Sequence, residues 1–161
     1  ISTPVHVDGV VYVSIGQDPE HGPGVGRLTA MDPKQEGDVT DSATIWTYDD
    51  IGRSISTVAV SGGIVFVGDY EGRLHAVHQK TGRPLWVHDT NAHMWGSPYV
   101  ADGRVYIGNE DGILSVFKVS KRKKLVAEVK LTAPMYTTPI VANKTLYIAT
   151  QNHLYAVGGE Q

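Results

Sequence analysis

One short strand pattern, an aromatic residue flanked by aliphatic ones, recurs four times along the chain and constrains its fold more than any other feature. The copies are Val10–Val13, Ile64–Val67, Arg104–Ile107 and Thr145–Ile148. Their aromatic residues are 54, 40 and 41 residues apart, and a turn pair containing Gly or Asn precedes each copy. Repetition at a period of 20–50 residues is the signature of a repeat architecture. The sequence therefore predicts a protein built from similar units of about 40 residues.

Each unit contains further strands in the same order. A strand precedes each copy, at 3–7, 57–60, 97–100 and 138–141, and another follows it, at 27–31, 73–77, 113–117 and 153–157. A fourth strand closes the first three units, at 44–47, 84–87 and 124–127. Four strands in about 40 residues are typical of a propeller blade. A sandwich of unrelated meanders is the alternative, but it would not explain the fixed period.

We therefore predict an all-β chain that forms a β-propeller of four-stranded antiparallel blades. Residues 1–161 make a single domain of about four blades, near 1–50, 51–90, 91–131 and 132–161, and the last blade lacks its outer strand. Such a partial ring would expose apolar blade faces at both ends, which predicts self-association. Two chains completing an eight-bladed ring would satisfy both ends, and a cleaved or excised half of a longer chain is the alternative.

Composition excludes several classes of function. Charged residues make up 19% of the chain and the net charge is −3, so no basic field exists to hold nucleic acid. The longest apolar runs are far shorter than the roughly 20 residues of a membrane span. The chain has no cysteine, which removes any disulfide framework or thiolate nucleophile. We expect no nucleic-acid partner and no membrane span.

The second unit carries a specific motif. Gly72–Val77 followed by Lys80–Trp86 resembles the repeat of pyrroloquinoline-quinone-type (PQQ-like) β-propellers, and weaker forms of the motif cover most of the chain. The resemblance implies that Trp46 and Trp86 dock one blade against the next. Alignment on Leu125 puts Val126 at the tryptophan position of the third unit.

The resemblance implies two kinds of function. Some members are quinone-dependent dehydrogenases, whose site uses a vicinal cysteine pair, a tryptophan under the quinone and acidic and amide ligands around calcium. Others are non-catalytic extracytoplasmic scaffolds, including the outer-membrane barrel-assembly lipoprotein. Because this chain has no cysteine, we expect a non-catalytic scaffold without a cofactor. The resemblance implies a periplasmic or otherwise extracytoplasmic location. The loop face of this scaffold would meet a protein or polysaccharide. Half of a PQQ- and calcium-dependent dehydrogenase, or a propeller fragment that self-assembles into a closed ring, are the alternatives.

Candidate binding residues lie on the face that carries the connections between blades. Trp95 and Tyr136 occupy equivalent places near the predicted channel mouth, where an aromatic pair can stack a planar ligand such as a quinone. Aromatic packing at a blade seam is the alternative.

Acidic residues dominate the same face. We expect Asp69 and Glu110 to lie among the residues of this face. Asp18, Glu20 and His21 sit in a glycine-rich insertion of the first unit and carry oxygen and nitrogen donors that can wrap a metal ion. A solvated loop is the alternative.

Overall fold

The computed structural model describes residues 2–16 and 24–159. Fifteen strands occupy them: β1 (Val5–Val7), β2 (Val10–Gly16), β3 (Gly26–Met31), β4 (Thr44–Tyr48), β5 (Ala59–Ser61), β6 (Ile64–Gly68), β7 (Arg73–His78), β8 (Pro84–Asp89), β9 (Tyr99–Ala101), β10 (Arg104–Gly108), β11 (Ile113–Lys118), β12 (Leu125–Lys130), β13 (Ile140–Ala142), β14 (Thr145–Ala149) and β15 (Leu154–Gly158). Over these residues, no helix has the length and apolar character needed to cross a membrane.

The strands form four antiparallel sheets, each in simple sequence order. Blade 1 contains β1–β4, blade 2 contains β5–β8, blade 3 contains β9–β12, and blade 4 contains β13–β15. The predicted all-β propeller architecture is confirmed, including a last blade with three strands in the described residues.

Two-residue turns join the first two strands of every blade. Both turn residues have positive φ at Asp8–Gly9, Gly62–Gly63, Asp102–Gly103 and Asn143–Lys144. Such turns match the twist of a hairpin, and they favour glycine because a Cβ is strained at positive φ. Blade 4 is the exception, since Lys144 holds a φ of 61° where the other blades have glycine.

The apolar cores lie between blades, because alternate residues of each strand point to opposite faces of its sheet. We call the face toward the following blade the leading face and the opposite one the trailing face. Leading faces present an aromatic residue, a leucine and a small aliphatic residue: Tyr12, Leu28 and Ala30, then Phe66, Leu74 and Ala76, then Tyr106, Leu114 and Val116. Trailing faces present an aliphatic pair: Val65 and Val67, Val105 and Ile107, Leu146 and Ile148.

Two tryptophans reach from one blade to the next. The Trp46 indole Nε1–H donates to the Gln79 carbonyl at 3.0 Å, and the Trp86 indole donates to the Ser120 carbonyl at 2.9 Å. Each acceptor lies in the turn before the outer strand of the following blade, and both tryptophans are only 9% exposed.

In blade 3 the tryptophan position belongs to Ala127, so the assignment of Val126 to it is wrong. Trp86 pairs with Ala76, and the equivalent pair in blade 3 is Val116 with Ala127. The turn before β12 is one residue longer than the turn before β8, which moves the register by one residue relative to an alignment on Leu125.

Candidate functional site

Connections between blades and the loops after each second strand lie on one side of the molecule, which we call the loop face. A backbone hydrogen bond joins connection to loop at three equivalent places. The N–H groups of Tyr70, Glu110 and Gln151 donate to the carbonyls of Arg53, His93 and Pro134, at 2.7, 2.8 and 2.9 Å. The side chains of these residues are therefore held at repeating positions around the channel mouth.

Four ring side chains form a continuous row on the loop face, and we call Tyr70, His93, Trp95 and Tyr136 the aromatic row. Trp95 and Tyr136 meet edge to face, with centroids 6.0 Å apart and planes at 85°. Tyr70 meets Trp95 in the same way at 5.1 Å and stacks on His93 at 4.4 Å. The structure thus brings the two predicted ligand-stacking residues together and adds two rings to them.

Polar contacts fix the orientation of the row. The Arg53 guanidinium lies 4.7 Å from the centroid of the Tyr70 ring, a distance at which a cation is attracted to the ring. The Trp95 indole N–H donates to a Glu110 carboxylate oxygen at 2.9 Å, and His93 Nδ1 donates to the Tyr70 carbonyl. Ordered rings lose little freedom on binding, which favours a recognition role.

The row offers apolar surface with a polar border. Trp95 is 42% exposed and Tyr136 is 43% exposed, whereas most aromatic rings of the core are covered. An acidic cleft of about 290 Å³ adjoins the row, lined by Glu71, Asn91, Ala92, His93, Glu110 and Asp111. Exposed aromatic area beside charged groups is typical of a protein-binding surface.

Two observations bear on the alternative of a quinone and calcium site. Because Trp95 and Tyr136 meet edge to face, they leave no parallel slot for a planar ring. In residues 2–16 and 24–159, no three His, Asp or Glu side chains converge to hold a metal ion. The predicted metal ligands Asp18, Glu20 and His21 lie outside the described residues. Calcium would need ligands from them or from another polypeptide segment.

Beneath the loop face lies a buried polar network that the sequence did not reveal. Asp69, which the sequence assigns to the loop face, is only 1% exposed. Its carboxylate accepts a hydrogen bond from His75 Nε2 at 3.0 Å and another from the Arg73 N–H at 2.9 Å. Tyr48, from blade 1, donates its hydroxyl to His75 Nδ1 at 3.0 Å. The network therefore links blade 1 to blade 2.

The charges in this network are set by burial and by hydrogen bonding. Burial alone would raise the pKa of Asp69, but hydrogen bonds from His75 and from the N–H groups of Arg73 and Gly52 hold that pKa below its usual range. Burial, reinforced by the Asp50 and Asp69 carboxylates, raises the pKa of Tyr48 to about 12. The network thus contains an ionised carboxylate and a neutral phenol.

One sequence signal could have found Asp69. Asn109 occupies the same place in blade 3, is fully buried and accepts a hydrogen bond from the Ile113 N–H at 2.9 Å. An Asp or Asn that closes a loop onto the backbone four residues later is a structural acceptor. The recurrence of Asp and Asn at equivalent places of two repeats indicates this role.

The fold and its loop face define the class of protein: a β-propeller of PQQ-like repeats, with one face of connecting loops that carries an aromatic row. Residues 24–125 match the family described as the outer membrane protein assembly factor BamB. The chain belongs to that family of PQQ-like repeat proteins.

Similar proteins include both dehydrogenases and an assembly factor. The 1-butanol dehydrogenase (cytochrome c) of Thauera butanivorans is 35% identical over 125 residues, which are 67% of this chain and 16% of that protein. The outer membrane protein assembly factor BamB of Moranella endobia is 27% identical over 97% of this chain and 36% of that protein. This chain therefore spans about a sixth and about a third of these two relatives.

A solved structure confirms the fold independently. The crystal structure of BamB from Moraxella catarrhalis superposes with a TM-score of 0.70 at 16% identity, covering 96% of this chain and 41% of that one. At this identity the likeness shows the propeller fold alone.

Proposed function

We propose that the chain is a non-catalytic module of an extracytoplasmic propeller protein that presents its loop face to a protein partner. The aromatic row is the observation that carries this proposal, because it exposes Trp95 and Tyr136 on a rigid scaffold. The family gives the cellular context, since its members are described as outer membrane assembly factors. An extracytoplasmic location is proposed on the same ground.

A protein partner fits the row better than a polysaccharide does. Exposed tryptophan and tyrosine next to Arg53 and Glu110 provide apolar anchors with charges of both signs at their border. Protein interfaces are enriched in Trp, Tyr and Arg at their energetic centres. A polysaccharide remains the alternative outcome of the test.

Site-specific photo-crosslinking tests this function. A photoreactive phenylalanine analogue at Tyr136 should give a discrete adduct in an envelope extract of the source organism, and the Trp95→Ala substitution should abolish it. The same analogue at Leu125, which is 48% exposed on the outer strand of blade 3, is the matched control. A protease-sensitive adduct at Tyr136 alone supports the proposal. A glycosidase-sensitive adduct indicates a polysaccharide, and equal adducts at both positions would contradict a specific loop-face site.

A second candidate function is half of a PQQ- and calcium-dependent dehydrogenase. The 35% identity to a 1-butanol dehydrogenase favours it. If this candidate is correct, titration with PQQ in the presence of calcium should quench tryptophan fluorescence with a saturable curve. The quench should disappear in Trp95→Phe and persist in Trp86→Phe, whose indole is buried between blades. An unsaturable response that is identical in both variants would remove this candidate.

We also propose that the chain associates with itself, with two copies completing an eight-bladed ring. The exposed apolar faces of the two terminal blades support this proposal. Exposed large apolar residues on these faces are Ile15 and Val25 of blade 1, which line one pocket, and Ile140 and Leu154 of blade 4. Monomeric proteins rarely expose contiguous apolar faces of this kind.

A further inference from the structure

Basic residues are concentrated on the side of the molecule opposite the loop face, which we call the turn face. The turns between first and second strands meet there with the turns between third and fourth strands. Backbone hydrogen bonds join them, since the N–H groups of Gln79 and Val119 donate to the carbonyls of Gly63 and Gly103 at 2.9 and 2.8 Å. On blades 2–4 this face carries nine exposed cationic side chains: Lys80, Arg83, Arg104, Lys118, Lys121, Arg122, Lys123, Lys124 and Lys144. The net charge of −3 for the whole chain therefore conceals a strongly basic surface.

Few carboxylates offset this charge. In the described part of blades 2–4, Asp102 is the one acidic residue in a turn of this face. The other carboxylates of these blades lie on the loop face or within an outer strand: Asp69, Glu71, Asp89, Glu110, Asp111 and Glu128. Blade 1 differs, because its turns on this side carry five carboxylates and one lysine: Asp8, Asp32, Glu36, Asp38, Asp41 and Lys34. The basic surface therefore ends at the seam between blades 1 and 2.

The nine cations are not neutralised by neighbouring side chains. Among the described residues, ion pairs form on the loop face, for example Arg27 with Asp49 and Arg73 with Glu71, and none of the nine takes part in one. Positive charges held this close together repel one another unless an anion lies among them. The turn face is therefore complementary to an external polyanion.

Five of the nine cations lie in or beside one turn, between β11 and β12, and contacts with blade 2 fix its shape. The Lys118 N–H donates to the Lys124 carbonyl at 2.9 Å and closes the turn. Trp86 of blade 2 donates its indole N–H to the Ser120 carbonyl, and the Arg122 N–H donates to the Ser120 hydroxyl at 3.2 Å. An ordered turn thus presents the densest part of the positive charge.

The composition of the turn face favours a lipid surface over a protein. Six of the nine cations are lysines, which act as hydrated point charges, whereas arginine dominates sites that hold one carboxylate or phosphate by two hydrogen bonds. Protein interfaces contain aromatic anchors and little lysine. The exposed aromatic rings of the described residues, Trp95 and Tyr136, lie on the loop face instead. Each Lys or Arg close to an anionic leaflet strengthens binding about fivefold, without any matched geometry.

We infer that the turn face of blades 2–4 binds the anionic surface of a lipid bilayer, and that the loop face then points into water. The same surface repels the acidic residues beside the aromatic row, such as Glu71, Glu110 and Asp111, and this repulsion sets the orientation. The inference rests on the extracytoplasmic location proposed above for its choice of anion, since lipid rather than nucleic acid is the polyanion in reach there. A chain attached in this way still presents the aromatic row to a partner.

Co-sedimentation with vesicles tests the binding. The chain should bind vesicles of phosphatidylcholine and phosphatidylglycerol, and it should not bind vesicles of phosphatidylcholine alone. Adding about 1 M NaCl, which shortens the screening length to about 3 Å, should release it. Equal binding to both kinds of vesicle, or binding to neither, would overturn the inference. Binding to soluble polyglutamate without binding to vesicles would indicate an acidic protein partner and would overturn it as well.

Two pairs of charge reversals test where the lipid binds. Lys121→Glu combined with Arg122→Glu alters exposed side chains of the basic turn and should weaken vesicle binding at least about 25-fold. Lys34→Glu combined with Lys130→Glu makes the same change in net charge outside the basic surface and should weaken binding less than about threefold. Circular dichroism checks that both variants are folded. Equal losses would show that net charge rather than the turn face governs binding, contrary to the inference.

Acrylamide quenching of tryptophan fluorescence tests the orientation. Trp46 and Trp86 are 9% exposed and Trp95 is 42% exposed, so quenching reports mainly on the loop face. Saturating vesicles that contain phosphatidylglycerol should leave the quenching unchanged. Protection of Trp95 by the vesicles would place the loop face against the lipid and overturn the inference.

Vesicle binding and the photo-crosslink at Tyr136 are measured separately and involve opposite faces. Failure of the vesicle experiments with an intact crosslink overturns this inference and leaves the proposed function standing. Vesicle binding by the turn face without a specific crosslink overturns the loop-face partner and leaves this inference standing.

Discussion

The Asp69 carboxylate is ionised at a position that is only 1% exposed. It bonds to His75, which in turn bonds to Tyr48 of blade 1, so protonation of Asp69 would weaken the contact between the two blades. Its pKa is held below the usual range in the folded chain, against about 3.9 when unfolded. Ionised Asp69 therefore stabilises the fold above the unfolded value, and this contribution is lost as the pH falls through the folded value.

The Asp69→Asn substitution tests this contribution. An amide keeps the acceptor for the Arg73 N–H, as Asn109 does in blade 3, but it removes the charge opposite His75. We expect a loss of about 1–3 kcal/mol in the free energy of unfolding at pH 7, measured by urea denaturation. The difference between the two chains should shrink below about pH 4. A constant difference from pH 7 to pH 3 would show that the charge contributes nothing.

Trp46 and Trp86 make equivalent contacts, and we propose that both dock one blade on the next. Trp46→Phe and Trp86→Phe each remove an indole N–H that donates to a backbone carbonyl, at 3.0 and 2.9 Å. Each should lower the free energy of unfolding by about 1–3 kcal/mol, through the lost hydrogen bond and the smaller ring. Trp95→Phe, at a 42% exposed position, is the control and should change stability by less than about 0.5 kcal/mol. Equal losses in all three variants would argue against the docking role.

Single residues were the hardest feature to place from the sequence. The pairing of Trp95 with Tyr136 followed from their equivalent positions in two repeats, because repeats impose equivalent geometry. The burial of Asp69 did not, since an acidic residue in a glycine-bounded loop is exposed unless nearby groups donate hydrogen bonds to it. The donors are His75 on the next strand of the same blade and the Gly52 N–H in the connection from blade 1, and the sequence does not show that the latter lies near.

At the scale of the element, the turn before β14 is strained by its second residue. Lys144 has a φ of 61°, whereas Gly9, Gly63 and Gly103 occupy the equivalent place in the other blades. Lys144→Gly should raise the free energy of unfolding by roughly 0.5–1 kcal/mol, because relief of the left-handed strain exceeds the entropy cost of glycine.

The reverse substitution in blade 3 is the matched control. Gly103→Lys introduces the same strain at a φ of 66°, where an added Cβ would meet no atom within 4 Å. It should destabilise the chain by a similar amount in thermal denaturation. A neutral result for both changes would show that the turn relaxes at no cost.

Strand order and turn positions were predictable at this scale, because alternating aliphatic and aromatic residues with turn pairs define a hairpin locally. The register of β12 was not. One extra residue in the turn before Leu125 shifts the strand, so Ala127 rather than Val126 faces blade 4. A residue count between motifs does not reveal whether an insertion lies in a turn or in a strand.

At the scale of the whole molecule, three seams hold four blades together and two apolar faces remain open. The number of blades followed from the repeat period, because each unit needs its neighbours to bury its faces. The packing between blades required the structure, since it depends on which residues of neighbouring strands share a side.

The proposal that two copies of the chain complete an eight-bladed ring is tested most directly by the solution mass of the unmodified chain. Light scattering over a range of concentrations measures this mass. The open faces predict a reversible species near twice the 17.4 kDa chain mass, with no larger assembly and no change on adding PQQ and calcium. A mass of 17.4 kDa at every concentration, or growth without limit, would contradict a ring closed by two copies.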